Sequence, residues 1–96
     1  MAKYRVVELA VLYPAPLAGR LLAGWGFEVF KVEPPGGDPL RVYIPPLFQI
    51  LNAGKYSVVL DLKRGEDRAR LYRLIEKADI VLTSFRRAAA EFHMTC

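Results

Sequence analysis

Apolar residues along the chain gather in four short runs, separated by segments of a different period. The runs are RVVEL (Arg5 to Leu9), EVFKVE (Glu28 to Glu33), SVVLDL (Ser57 to Leu62) and DIVLTS (Asp79 to Ser84). Each is short and β-branched, which predicts strands. Between the last two, GEDRARLYRLIEKAD places Leu71, Leu74, Ile75 and Ala78 at i, i+3, i+4 and i+7, one apolar stripe of a helix. Glu66 and Asp67 in its first turn and Lys77 in its last suit the helix dipole. Glu66 and Arg70 are spaced to pair at i, i+4. LAGRLLAGW predicts an earlier helix, with Pro16 as its first residue and Gly26 as the stop. Pro45 and Pro46 break the chain before LFQILNAG, a short helix expected to end at Gly54. FRRAAAEF, near the end, is expected to begin another.

The order strand–helix–strand–loop–strand–helix–strand predicts an α/β fold, a parallel sheet with right-handed crossovers, as a single domain over residues 1–96. Parallel strands covered on both faces should read as continuous apolar runs. The stretch KVEPPGGDPLR, Lys31 to Arg41, ends the second strand abruptly. Pro34 and Pro35 have no backbone donor for a ladder, and Gly36 and Gly37 admit backbone shapes closed to other residues. Strand ends of this kind are where α/β sheets bind ligands, although an ordinary surface loop fits the same residues. Glu33 is expected to organise the loop as an acceptor and Asp38 to serve as a turn residue.

Composition narrows the function classes. The chain has 96 residues, 53% hydrophobic and 25% charged, a globular balance. A formal charge of +4 permits an anionic ligand without demanding nucleic acid, and no basic run exceeds two residues. One histidine, His93, argues against a histidine metal site, and no zinc-ligand spacing occurs, so no metal is expected. One cysteine, Cys96, excludes a disulfide framework and suits a reducing compartment, so a cytoplasmic location is expected. No apolar run approaches the ~20 residues of a membrane span, and MAKYRVVEL lacks the apolar core of a signal peptide. So modest a chain, and so apolar, is expected to lean on a partner.

The first strand, turn, helix and second strand, with an acid at Glu33, imitate a dinucleotide site. The turn YPAPLAG nevertheless lacks G-x-G-x-x-G, and its one glycine, Gly19, falls inside the helix. Without those glycines a pyrophosphate cannot approach the backbone closely, which argues against NAD or FAD. Ser57, Thr83, Ser84 and Thr95 have no base within a recognisable catalytic motif.

Four blocks in order, VVELAVLYPAP, LLAGWGFEVFKVEPPGGDPLR, LNAGKYSVVLDLK and ADIVLTSFRR, resemble the amino-terminal part of the family III CoA-transferases, the group of formyl-CoA transferase, carnitine CoA-transferase and α-methylacyl-CoA racemase. The resemblance runs from Val6 to Ala88, and VVEL, L-x-P-x-P and SFRR look closest to the racemase branch. It implies a Rossmann-like partial parallel sheet with flanking helices, the truncated start of a larger domain that binds coenzyme A or an acyl-CoA thioester and forms an interlocked homodimer. It also implies that the loop after the second strand lies against the adenosine and phosphate end of CoA. Carried over by position, the first CoA-contacting turn falls on Val11, Tyr13 and Pro14, where many transferases have a polar pair. The basic residue expected just after the strand-two acid is Pro34 here, which leaves Arg41 as a substitute cation. The N-x-G-K block is Asn52, Ala53, Gly54 and Lys55; the block after the fourth strand is Ser84, Phe85, Arg86 and Arg87. Arginines suit phosphates because their fork of donors pairs bidentately.

Plainer roles fit the same residues. Lys55 as a solvated residue before a strand, Arg86 and Arg87 as an exposed helix start, and Tyr13 and Phe85 as packing are all consistent with the sequence. The family's catalytic aspartate and the racemases' acid–base pair come after the matched region, so the resemblance implies no turnover by this chain alone. A stand-alone CoA or adenine-nucleotide module, and a self-associating structural remnant without ligand, remain alternatives. A homo-oligomer, or a second carboxy-terminal chain, is the expected partner.

Overall fold

The computed structural model describes residues 4–9 and 15–83. The strands are β1 (Arg5–Leu9), β2 (Glu28–Glu33), β3 (Tyr56–Val59) and β4 (Ile80–Thr83); the helices are α1 (Ala15–Gly24), α2 (Leu40–Tyr43), α3 (Pro45–Asn52) and α4 (Gly65–Glu76). All the strands pair in parallel, in the order β3-β2-β1-β4. The chain therefore winds outward from β1 through β2 to β3, then returns to the other side of β1. The α/β, Rossmann-like reading of the sequence holds. The expected helix at FRRAAAEF lies outside the described residues.

Several boundaries differ from the sequence reading, each for a local reason. β3 is shorter than SVVLDL. Leu60 N still donates to Glu33 O at 3.0 Å, but Asp61 N turns to Asp67 Oδ2 of α4 at 2.7 Å, which ends the ladder. Asp79 precedes β4 and clamps the start of β1: its amide donates to Arg5 O and its carboxylate accepts from Arg5 N, both at 2.8 Å. Asp67, rather than Glu66, pairs with Arg70, at 3.1 Å. The helix α2 has no signal in the sequence, because four residues carry no periodic stripe. Gly26 does stop α1. At φ 94° it lets its own amide reach Ala23 O and that of Phe27 reach Leu22 O, both at 3.1 Å, the paired bonds of a Schellman cap.

The two faces of the sheet are unlike. Val7, Leu9 and Val32 form one core with Leu60 and Leu71, and Leu74, Ile75 and Ala78 pack around it. The helical stripe is thus the cover of this face. The opposite face carries Val6 and Val29, but also Glu8, Lys31 and Glu33, all buried. The expectation of continuous apolar strands is therefore corrected. EVFKVE alternates because one of its two buried faces holds charges.

Leu71 is 4% exposed at the centre of the apolar core. Truncation to alanine should cost about 2–5 kcal/mol. Urea unfolding of Leu71→Ala should show a lower midpoint with an unchanged slope.

Candidate functional site

The charged face begins with strand register. Glu8 and Lys31 are direct partners on β1 and β2, so their side chains leave the sheet on the same side. Lys31 Nζ donates to Glu8 Oε2 at 3.0 Å and meets Asp38 Oδ2 at 3.1 Å. A second ammonium, that of Lys55, lies 2.8 Å from Glu8 Oε1, a charge contact without hydrogen-bond alignment. Lys55 Nζ donates instead to Asn52 Oδ1 at 2.6 Å and to the Pro16 carbonyl at 2.9 Å. Asn52 is held for this task by its own Nδ2, which donates to Phe48 O one turn back at 3.0 Å. Two carboxylates and two ammonium groups balance, and none of the four side chains is more than 2% exposed. Burial pushes the Lys55 ammonium below its ordinary pKa; Glu8 pulls it back, and Lys31 adds repulsion.

Helix α1 seals this cluster, and Gly19 is the reason it can. A Cβ at Gly19 would collide with Glu8 Oε1 and come within 3.2 Å of Lys55 Cε. The glycine that fails to complete a dinucleotide motif serves close helix–sheet approach instead.

The second cluster organises the loop after β2. Glu33 Oε1 accepts from Asp38 N and from Arg41 Nε, and Oε2 accepts from Arg41 Nη2 and Ser57 Oγ, all at 2.7 Å. Four donors saturate this carboxylate. Burial raises its pKa, but hydrogen bonds from Arg41, the Asp38 amide and Ser57, with the Arg41 charge, outweigh burial and hold it down at about 2. The hydrogen bond to Glu33 in turn raises Arg41 above its ordinary value. Asp38 Oδ1 accepts from Leu40 N at 3.0 Å, so Asp38 joins the two clusters and starts α2. Gly37, at φ 84°, has no room for a side chain: a Cβ there would lie 2.8 Å from Arg41 Cδ. The guanidinium of Arg41 rests 4.1 Å from the Phe48 ring centre, and its side chain remains 42% exposed.

These contacts sort the residues singled out in the sequence. Leu9 and Thr83 are register partners at the carboxyl ends of β1 and β4. Val11, Tyr13 and Pro14 follow the first of these ends, and Ser84, Phe85, Arg86 and Arg87 follow the second; all seven lie outside the described residues. Pro34 is exposed just past the carboxyl end of β2. Asn52, the last residue of α3, and Ala53, Gly54 and Lys55 lead into β3, hence at the opposite end of the sheet. Gly54 takes φ 82° there, with its Cα facing Ala23 near the end of α1. From that turn the Lys55 side chain runs inward beneath α1 rather than out to solvent. The sequence reading assigns no role to Glu8 and Lys31; the available signal is a charge of opposite sign flanked by apolar residues inside each of two strands, Val7-Glu8-Leu9 and Phe30-Lys31-Val32.

The chain matches the model of CoA-transferase family III over residues 1–94. It is 42% identical to the cinnamoyl-CoA:phenyllactate CoA-transferase of Clostridium sporogenes, with 88% of this chain and 23% of that protein aligned. It is 40% identical to the succinate–glutarate CoA-transferase of Agrobacterium fabrum, over 86% of this chain and 24% of that one. Among solved structures, a CAIB/BAIF family protein from Brucella suis superposes with a TM-score of 0.87 at 33% identity, covering 94% of this chain and 27% of its own. The chain thus spans about a quarter of the length of the relatives it matches.

The saturated carboxylate sets a pH dependence. Because the folded pKa of Glu33 lies below the ordinary 4.5, its contribution to stability is fully present above that value and is lost as pH falls from about 4.5 toward 2. Glu33→Gln should be less stable than wild type at neutral pH, by about 1–3 kcal/mol. The gap should narrow as the pH is lowered through this window, as read by urea midpoints at a series of pH values.

Proposed function

Because the chain belongs to CoA-transferase family III, we propose that it supplies part of a site for a CoA thioester, with the nucleotide end of CoA held across the carboxyl ends of the strands. The observation that carries this reading is the strand order. In a sheet ordered β3-β2-β1-β4 the direction of winding reverses between β1 and β4, and open α/β sheets bind ligands outside the carboxyl ends at such a reversal. The segments with Val11, Tyr13 and Pro14, and with Ser84, Phe85, Arg86 and Arg87, leave the sheet from those two strands; Pro34 leaves it from the neighbouring one. In this reading Arg86 and Arg87 meet phosphate oxygens. Asn52, Ala53, Gly54 and Lys55 act from beneath, with Lys55 as an internal strut that fixes α1 against β1. The acid that carries the acyl group in the family is supplied by residues other than these 96, and the compartment is the cytoplasm.

The relatives' names suggest the substrate class: a CoA thioester such as cinnamoyl-CoA, and carboxylates such as phenyllactate, succinate and glutarate that accept the CoA. Isothermal titration of the chain with CoA should show binding in about the micromolar to millimolar range, since a partial site offers few contacts at the usual association cost. Arg86→Ala should weaken it several-fold, whereas Arg73→Ala, at an exposed position on α4, should not. CoA exchange between carboxylates by the purified chain should be undetectable. Absence of binding at millimolar CoA refutes the reading.

A second observation bears on partners. Leu17 and Leu21 of α1 and Pro46 and Ile50 of α3 line an open apolar cleft, with Leu21 and Ile50 more than half exposed. Apolar surface of this kind marks an interface, and we propose that the chain self-associates through it. Light scattering at micromolar concentration should show a homo-oligomer that Ile50→Glu converts to monomer.

A further inference from the structure

We propose that Arg41 makes the site selective for a nucleotide whose ribose carries a phosphate monoester, as that of CoA does. The inference rests on the CoA reading above and specifies one subsite within it.

At the end of the second strand of a nucleotide-binding α/β sheet, an acid normally accepts the ribose hydroxyls, while a nearby arginine marks sites that take a ribose phosphate. Glu33 occupies the position of that acid. Its two oxygens already accept four donors, so no lone pair faces a ribose diol. The carboxylate has become a mount for a cation. Arg41 is gripped along the edge formed by Nε and Nη2, and its face lies on Phe48. Because the guanidinium is planar, Nη1 sits on the edge away from Glu33, and among the described residues it has no partner. Two glycines border this position. Gly36, at φ 91°, has open space where a Cβ would stand, and Gly37 is packed under the Arg41 stem. The Arg41 side chain is 42% exposed, so an oxygen-rich group can reach it from solvent. A guanidinium fixed in advance on three sides loses little side-chain freedom when it binds an anion, and phosphate oxygens match its donors. A hydroxyl in the same place offers no charge to meet it. The lysine ammonium groups nearby do not compete for this role, because Lys31 and Lys55 are both enclosed beneath α1.

The test compares CoA with dephospho-CoA, which differ only in the ribose phosphate, by isothermal titration. Wild type should bind CoA about tenfold or more tightly than dephospho-CoA, and added salt should shrink the difference. Arg41→Lys retains a cation but cannot both grip Glu33 bidentately and reach outward, so the preference should fall several-fold. The double variant Glu33→Gln with Arg41→Gln removes both charges together and avoids stranding a buried carboxylate. It should bind the two ligands alike, at the wild-type affinity for dephospho-CoA, with its circular dichroism unchanged. Equal binding of both ligands by wild type, or a preference that survives in Arg41→Lys undiminished, overturns the inference and leaves the CoA reading standing. Binding of neither ligand by wild type overturns both.

Discussion

The buried pairing of Glu8 with two lysines is the constraint on which the rest of the structure depends. Glu8 sits in the innermost described pair of strands, with no exposure to water, and an unpaired carboxylate there would be prohibitively costly. Lys31 reaches it from the adjacent strand and Lys55 from just before β3, so three segments distant in sequence must assemble correctly before the charge is neutralised. Burying such a cluster adds little net stability compared with an apolar core. Its effect is to penalise alternatives: a one-residue slip of β2 against β1 would send Lys31 to the apolar face and leave Glu8 without that partner.

The same cluster explains the position of α1. Lys55 donates to the Pro16 carbonyl and passes under Gly19, so the helix is fastened at its first turn and pressed close at its middle. Asp38 extends the network to the loop after β2, pairing with Lys31 by its carboxylate and donating its amide to Glu33. The geometry at the carboxyl ends of the strands is thus held from below by internal charges. Two cations near these clusters are used differently: Lys55 is spent inside the fold, while Arg41 is half-exposed and held in place.

This arrangement differs from a dinucleotide-binding sheet in where it uses its special residues. There, glycines in the first turn admit the pyrophosphate and an acid reads the ribose. Here the helix glycine admits a carboxylate from beneath, and the strand-two acid is consumed by an arginine. The topology is shared, but where such a sheet presents a bare carboxylate at the end of its second strand, this one presents a half-exposed arginine held by that carboxylate.

Among the described residues, the sequence by itself determined the four strands, three of the four helices, the parallel winding and the stopping points at Pro34 and Gly26. These follow from local rules: β-branched runs, a 3.6-residue stripe, and residues that lack an amide donor or tolerate positive φ. It also marked Glu33 as the loop's acceptor, because an acid before Pro-Pro-Gly-Gly has amides to satisfy close by. What only the tertiary structure decided was the partner of every buried charge. Lys55 reads as a solvated residue before a strand until α1 is laid over it, and Glu8 has no evident partner until β2 supplies Lys31. Arg41 stands in the sequence only as a substitute cation; its grip on Glu33 exists because β2, α2, α3 and β3 bring Glu33, Phe48 and Ser57 around one guanidinium. Local sequence fixes backbone shape, but charge compensation is a long-range property, and it becomes visible only when the strands are in register.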